Sequence, residues 1–405
     1  MWLLRLAWKN LWRNRSRTLI TVSAVAFATF FSIITGSLKE GVFNNLVKNI
    51  VSSYTGHLQV HQKGYQDEQI LDNSFKKSAL LEGIIENIPE TGAVAPRLES
   101  FALVSSGELT KGCMVLGIDP EKENKITSVK EKLVNGRYLS LEDRGVLIGA
   151  GLAKKMNVSI NDELILIGQG YHGSSAAGKM PVRGIVKMGS PQLNDKILFM
   201  SLPAAQELFG ADSLLSSLII SLDDNTEPSG VAGSIRAVIG DQYEVKTWGE
   251  ILPEVKQHIE TDTNNMRYVQ YILYLLISFG IFSTLLIMMV ERRFETGMLL
   301  ALGMSKLRIQ WLLITESLFT VMLGSITGIL MSIPLVLYFK NQPLRITGEA
   351  AKAYERFGFE PIFPASADPM VFLSQGLIVF VIGLILSLYP LYVVMRMHPV
   401  MAMKK

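Results

Sequence analysis

The segment Gly173–Lys179 reads G-S-S-A-A-G-K, one hydroxyl short of a phosphate-binding loop of the form G-x-x-x-x-G-K-[ST]. Such a loop cradles phosphate with backbone N–H groups, holds Mg²⁺ through the Ser/Thr hydroxyl and leads into a helix. Met180 has no hydroxyl, and Pro181 opens a strand-like stretch instead. The segment is expected to be a flexible Gly/Ser loop. His57 and His61 stand four apart, a spacing that on a helix brings two imidazoles to one metal ion. Leu58 and Val60 alternate between them, so Gly56–His61 (GHLQVH) reads as a strand. The two rings then share a face about 13 Å apart, too far to share an ion, and no metal site is expected. Cys113 is the single cysteine, which excludes an intramolecular disulfide and a Cys-rich metal site; it reads as a small core residue. No Ser/His/Asp or Cys/His arrangement stands out. Glu316 remains, a carboxylate inside an apolar stretch about two turns from Arg308. It could be a proton or substrate site, or a group near the headgroups paired with an Arg or Lys of the adjoining loop; its closeness to Arg308 favours the pairing.

Around these residues the chain alternates between two kinds of composition. Hydrophobic residues make up 49% of its 405 positions and are concentrated near the N-terminus and in the last third. A net charge of only +3 gives no basis for a nucleic-acid-binding face. Four stretches can cross a bilayer as transmembrane helices: 18–38, 268–290, 309–339 (interrupted only by Glu316) and 369–395. Lys and Arg collect on the cytoplasmic side of short loops. Arg5, Lys9, Arg13, Arg15 and Arg17 precede the first span, Arg292, Arg293, Lys306 and Arg308 separate the second and third, and Arg396, Lys404 and Lys405 end the chain. The segments 1–17, 291–308 and 396–405 are therefore expected in the cytoplasm. The loop 340–368 is expected outside despite Lys340, Arg345, Lys352 and Arg356, which Glu349, Glu355, Glu360 and Asp368 balance. The basic segment 1–17 interleaves Trp2, Trp8 and Trp12 with its charges, as an interfacial helix would, and no small-residue cleavage site follows the first span. The first span is expected to be an uncleaved anchor. Gly324 and Gly328 form a G-x-x-x-G pair that lets another helix approach. With Glu316 as the only ionisable residue in the spans, these offer little to a polar solute.

Residues 39–266 are far too many for a loop and read as an extracytoplasmic α+β domain on two helical stalks. The pairs Val42/Phe43, Leu46/Val47 and Ile50/Val51 make an apolar helix face on entry; Ile251, Leu252, Val255 and Ile259 make another within Trp248–Met266 on exit. Between them the pattern predicts a helix over Asp72–Ile88, strands at Val146–Gly149, Glu163–Ile167, Pro181–Lys187, Ile197–Met200, Ser217–Leu222 and Tyr243–Thr247, and helices at Gly151–Met156, from Pro203, and at Ser229–Ile239.

The loop after the second span reads Glu291-Arg-Arg-Phe-Glu295-Thr-Gly297-Met-Leu-Leu-Ala301-Leu302-Gly303-Met-Ser305. This resembles the E-R-x-x-E-x-G-x-x-x-A-L-G-x-S signature of the MacB/FtsX-like ABC transporter permeases (type VII), which include the LolC/LolE-like lipoprotein-releasing permeases. Asn10, Leu11 and Arg13 look like that family's opening N-L-x-R. Gly149, Leu152, Ala153 and Asn161-Asp162 look like its G-x-x-L-A … G-D pattern, with Asn161 in place of Gly, and Pro399 fits its close.

The resemblance implies a MacB-like periplasmic core domain and an inner-membrane permease with no ATPase site of its own, so that ATP and Mg are bound by a partner ATPase. It implies a coupling helix between spans two and three, with Glu291, Arg292, Glu295, Gly297, Met298, Ala301, Leu302 and Gly303 at the ATPase contact and Phe294, Met298 and Leu302 on its apolar face. It implies a second permease subunit, the same or homologous, and transmission of ATPase movement through the stalks to the outside. The implied cargo is lipoprotein taken from the outer leaflet and handed to a periplasmic acceptor, with Phe30, Phe31, Ile34, Tyr271, Tyr274 and Leu275 as a candidate cleft open to membrane lipid. Small-molecule or peptide export, regulation of a cell-wall hydrolase, and a sensor without ATPase are the other readings the sequence allows.

Overall fold

The computed structural model describes residues 2–13, 15–223, 226–349, 351 and 361–395. Lys352, Glu355, Arg356, Glu360, Arg396, Pro399, Lys404 and Lys405 lie outside the described residues. The chain divides into two compact units. One comprises Met1–Asn45, Ile259–Arg345 and Ile362–Lys405; the other comprises Leu46–His258 and Ile346–Pro361.

The first unit opens with α1 (Trp2–Arg13) and α2 (Arg15–Ile50). In α1, Ala7 and Leu11 are buried while Trp8 and Trp12 are exposed, so the helix has a protein-facing stripe as well as an uncovered aromatic one. Trp8 meets Phe319 edge-on at 5.6 Å.

The second unit holds the strands and short helices. In chain order they are β1 (Leu58–Gln62), β2 (Phe75–Lys76), α3 (Ala79–Glu86), β3 (Thr91–Ser106), β4 (Leu109–Ile118), α4 (Pro120–Thr127), β5 (Leu133–Gly136), β6 (Val146–Gly149), α5 (Ala150–Met156), β7 (Glu163–Gln169), β8 (Ser175–Val186), β9 (Ile197–Ser201), α6 (Leu202–Phe209), β10 (Leu214–Leu215), β11 (Ser217–Leu222), α7 (Pro228–Ile239) and β12 (Tyr243–Thr247). Among the described residues, all of these strands but β2 and β10 join one sheet. Its pairings β3-β4, β4-β9, β9-β6, β6-β8, β8-β7 and β7-β3 close a ring, which removes the edges an open sheet would leave. The long strand β3 joins this ring to a second layer: its first half pairs β11, and β11 continues to β1 and β12. Alternate residues of the ring strands, such as Val104, Val115, Ile148, Leu164, Leu166 and Leu198, form the main core. Leu116, Leu147 and Phe199 point the other way and are covered by Val129 and Leu139.

A buried polar network crosses this core. Arg97 on β3 donates Nε to Glu123 Oε2 at 2.9 Å and Nη2 to Oε1 at 2.5 Å, with both side chains fully buried. The Thr127 hydroxyl also donates to Glu123 Oε1, and the guanidinium lies 5.4 Å from the Tyr54 ring. Tyr54 in turn donates to Glu99 Oε2 at 2.7 Å, and burial holds its phenol well above the ordinary value.

Four local readings are corrected. Asp72–Ile88 is not one helix. Leu71–Asn73 makes a 3-10 turn, Phe75 and Lys76 pair with β10, and α3 starts only after Ser78, whose hydroxyl caps it by accepting from Leu81 N. The Gly/Ser segment is not a flexible loop: Ser175–Val186 is a continuous strand, with Gly178 opposite Leu166 of β7. Trp248–Met266 is interrupted at Leu252, because Pro253 drives the residue before it out of the helical region. The helix between spans two and three is not a separate short one, since α8 (Pro253–Ala301) runs on without a break. His57 and His61 sit before and within β1. His57 Nδ1 accepts from Leu222 N, while the ring nitrogens of His61 lie 2.9 Å from the Ser216 carbonyl and from the Gln59 amide. Cys113 is buried, which pushes its thiol up to about 12.

After α8, the first unit continues with α9 (Lys306–Asn341), the pair β13 (Leu344–Arg345) and β14 (Ile362–Phe363), α10 (Pro369–Leu386) and α11 (Leu388–Met395). Among the described residues, four helical stretches are long and apolar enough to cross a membrane: Thr18–Ile50, Pro253–Ala301, Lys306–Asn341 and Pro369–Met395. The last breaks at Ser387, where Pro390 cannot donate to the carbonyl four residues back. Val25, Ile281, Leu285, Val321 and Val379 meet in one cluster that joins α2, α8, α9 and α10. Gly324 and Gly328 let α9 lie directly on α2: a Cβ at Gly324 would be 2.5 Å from Val25 Cβ, and one at Gly328 would be 2.5 Å from the Ala26 carbonyl oxygen.

Candidate functional site

The turn between α8 and α9 is built by its glycine. Gly303 takes φ of 89°, a left-handed conformation that a side chain disfavours. Gly303 N donates to Leu300 O and Met304 N to Leu299 O, the paired bonds of a Schellman motif, so α8 stops at Ala301. A new helix starts three residues later, which turns the chain sharply.

The signature residues on α8 fall on two faces. Phe294, Met298 and Leu302 are 55%, 44% and 77% exposed, an outward apolar strip at helical spacing. Glu291, Ala301 and Gly303 are exposed beside it. Arg292, Thr296 and Gly297 are buried on the opposite face. Behind them Leu299, Leu300 and Met304 pack on Ile309, Leu313 and Val394.

The inward face carries a polar lock. Glu316 on α9 is completely buried. Its Oε2 pairs with the Arg292 guanidinium, and its Oε1 accepts from Asn10 Nδ2 at 2.7 Å. One turn further along both helices, Arg13 Nη2 donates to Glu295 Oε2 at 2.7 Å. Leu11 between them is buried. Three helices, α1, α8 and α9, thus meet on one carboxylate, and a buried charge with both oxygens bonded avoids the heavy penalty of an unpaired one. Glu316 is paired with an arginine of the adjoining segment 291–308, and the partner is Arg292. Sequence reasoning missed Asn10. The signal was present: Asn10/Arg13 and Arg292/Glu295 each stand three apart, one helical turn, so two aligned helices can match both pairs.

The six residues of the candidate cleft are placed unequally. Phe30 and Phe31 meet at 5.7 Å and Phe27 and Phe31 at 4.5 Å, a row of rings on α2. Tyr271 and Leu275 are both 56% exposed on α8. Ile34 packs instead with Ile33, Val336, Phe339 and Phe372, toward α9 and α10. Tyr274 is half-buried and donates to Gln375 Oε1 at 2.6 Å. The same oxygen is met by Ser32 Oγ at 2.7 Å and Gln270 Nε2 at 3.0 Å, and Lys39 Nζ reaches Gln270 Oε1 at 3.4 Å. The spans therefore hold a second buried polar cluster, of neutral amides and hydroxyls, which counting ionisable residues overlooked.

Comparison with known proteins adds to this geometry. Residues 18–238 match the MacB-like periplasmic core domain, and residues 269–399 match the FtsX-like permease C-terminal domain. The lipoprotein-releasing system transmembrane protein LolC of Neisseria meningitidis is 21% identical over 340 residues, 80% of each chain. The corresponding LolE of Haemophilus influenzae is 23% identical over 268 residues, 64% of this chain and 63% of that one. The crystal structure of the periplasmic region of MacB from Actinobacillus actinomycetemcomitans aligns with 53% of this chain and 97% of that one, with TM-score 0.37 and 13% identity. Because the periplasmic-core match spans more than half of the chain and the permease match takes up most of the rest, this protein belongs to the MacB/FtsX-like ABC transporter permeases.

Proposed function

We propose that this permease transmits work from a separate ATPase, docked at the α8–α9 turn, to lipid-anchored protein leaving the outer leaflet of the membrane. Both termini and the turn lie in the cytoplasm in this reading, and the large α+β domain and residues 340–368 lie outside. ATP and Mg belong to the ATPase.

The observation that carries the reading is the division of α8 near the turn. An apolar strip of Phe294, Met298 and Leu302 faces outward, exposed among the described residues. Directly behind it Arg292 is tied to Glu316, whose other oxygen accepts from Asn10. A partner that seats the strip and then moves carries α1, α8 and α9 together. Pairing with a second permease is supported by α8 itself: only 17% of its apolar window is buried, against 44% for the first span. The cargo rests on the relatives' place in lipoprotein-releasing systems and on the apolar rows Phe27/Phe31 and Tyr271/Leu275. The polar groups Ser32, Gln270, Tyr274 and Gln375 are bonded to one another, which suits holding helices together better than lining a solute path.

Leu302→Asp and Met298→Asp, both on the exposed strip, test the docking. In complexes purified from native membranes, both variants are expected to insert normally yet lose co-purifying ATP hydrolysis. Wild-type ATPase binding and wild-type cargo release in both would remove the turn as the contact.

A further inference from the structure

Part of the outer face of the strand ring in the large domain is left uncovered among the described residues. Strand β7 reads Glu163-Leu-Ile-Leu-Ile-Gly-Gln169. A strand with one wet face alternates apolar and polar residues. Here Leu164 and Leu166 fill the interior, while Ile165 and Ile167 on the other side are 39% and 48% exposed. Their neighbours repeat the pattern: Leu103 stands opposite Ile167, and Phe101 opposite Met114. Phe101 and Leu103 are 60% and 51% exposed. Isolated exposed apolar residues need no explanation, but a contiguous cross-strand patch does.

This patch is the floor of a cavity of about 1030 Å³, at the upper end of the size range of small-ligand sites. Ile50, Leu193, Leu252 and Val255 supply further apolar wall. Tyr54, Ser190 and Gln192 also line it, and two further polar groups matter for a ligand. Asn49 Nδ2 is buried with no hydrogen-bond partner, a donor that lacks an acceptor. Lys196 lines the cavity and is exposed, offering a cation at its mouth.

We propose that this cavity binds the acyl chain of an amphiphile, with the chain laid on Phe101, Leu103 and Ile167, an ester or amide carbonyl at Asn49 Nδ2 and an anionic group at Lys196. The long apolar floor fits a flexible hydrocarbon chain, and the two polar groups fit a carbonyl and an acid. A sugar or nucleotide would leave its hydroxyls unpaired against this floor. The inference deepens the cargo reading above and rests on it for the source of the chain, which is either the anchor of a lipidated polypeptide or a membrane phospholipid.

The test uses the full-length permease alone in nanodiscs. A photoreactive benzophenone amino acid replaces Leu103, and in a control it replaces Leu80, which is 76% exposed on α3 and lines no part of the cavity. The probes are an N-palmitoylated peptide with a free carboxylate and a phosphatidylglycerol with a clickable acyl chain. Capture at position 103 is expected to exceed that at 80 by at least ~10-fold. Gly112→Trp should abolish it, because a side chain at Gly112 enters open space lining the cavity. Ile167→Glu, at an already exposed position, should do the same if the Trp variant misfolds. Lys196→Glu should weaken it several-fold. Adducts with the peptide identify the cargo anchor as occupant, and adducts with the phospholipid alone identify a resident lipid; either upholds the acyl site. Equal capture at 103 and 80, capture untouched by both blocking variants, or adducts only to a second copy of the chain would overturn it. No ATPase is present, so a failure of ATP-driven release elsewhere leaves this result standing.

Discussion

Among the described residues, two arginine–glutamate pairs are fully or almost fully buried, and they differ in what they join. Arg97 and Glu123 meet in a bidentate pair inside the large domain, reinforced by Thr127, Glu99 and the Tyr54 ring. Every partner belongs to the same core, held by strand pairing and the short helix α4. Arg292 and Glu316 meet between separate long helices, and the third partner, Asn10, comes from yet another. The first arrangement fixes one compact unit. The second ties three separate long helices to one carboxylate, just behind the exposed apolar strip of Phe294, Met298 and Leu302. A buried ion pair is weak evidence for stability in itself, and what distinguishes these two is whether the groups it ties together must stay still or move together.

The sharpest way to break the comparison is to remove one carboxylate from each pair. Glu123→Ala strips buried Arg97 of its bidentate partner and leaves only the longer contact to Glu99 at 3.4 Å, at a cost of about 3–5 kcal/mol, and should lower the melting temperature of the large domain by roughly 6–20 °C by near-UV circular dichroism. Glu316→Gln keeps two hydrogen-bonding atoms and should leave that domain unchanged while uncoupling ATP hydrolysis from release. If Glu316→Gln lowers the melting temperature of the large domain as Glu123→Ala does, the two pairs serve one purpose and the contrast fails. Gly328→Leu comes next. Its side chain would strike the Ala26 carbonyl, so α9 must leave α2, and the purified permease should aggregate earlier on heating by size-exclusion analysis. Asn10→Ala removes one hydrogen bond to a charged group, about 1.5–3 kcal/mol, and should impair coupling less than Glu316→Gln. The smallest effect concerns pH. Burial holds the His61 imidazole below its ordinary value, ahead of the opposing Ser216 carbonyl contact. Its contribution to stability is therefore present above about pH 6.5 and is lost as pH falls toward the lowered folded value. Between pH 7.5 and 5.5 the large domain should lose melting temperature that His61→Asn does not lose.

Much of this was legible in the sequence because the signals were local. The four apolar stretches announced the spans. Strands such as Val146–Gly149 and Ser217–Leu222 stood between turn residues, and Pro203 and Pro228 opened their helices where a first-turn proline fits. What was not legible depended on distant partners. Ser175–Lys179 has loop composition, and only pairing with β7 makes it a strand. Phe75 follows helical spacing, yet pairing with Leu215 wins. The ring closure of β3 onto β7 has no local trace, and the hairpin of β3 and β4 turns on a single glycine at 107. At the candidate site, the signature on α8 could be read residue by residue, but its split into a docking strip and a lock could not. That split follows from Glu316, which a span-by-span reading treats as an isolated oddity. The Ser32–Gln270–Tyr274–Gln375 cluster was hidden for the same reason, since its members lie on three helices and none is charged.

The central claim is that the lock behind the α8–α9 turn carries the ATPase's movement into the permease. A charge-reversal cycle tests it most directly. Arg292→Glu, Glu316→Arg and the double variant would be purified with the native ATPase, and ATP-driven release of a lipid-anchored cargo from proteoliposomes would be measured alongside ATPase binding. Each single reversal should retain ATPase binding and lose at least ~10-fold in release, and the double variant should recover most of it because the pair is rebuilt with opposite polarity. Wild-type release by Glu316→Arg alone, or loss in the double variant equal to the sum of both single losses, would contradict the account.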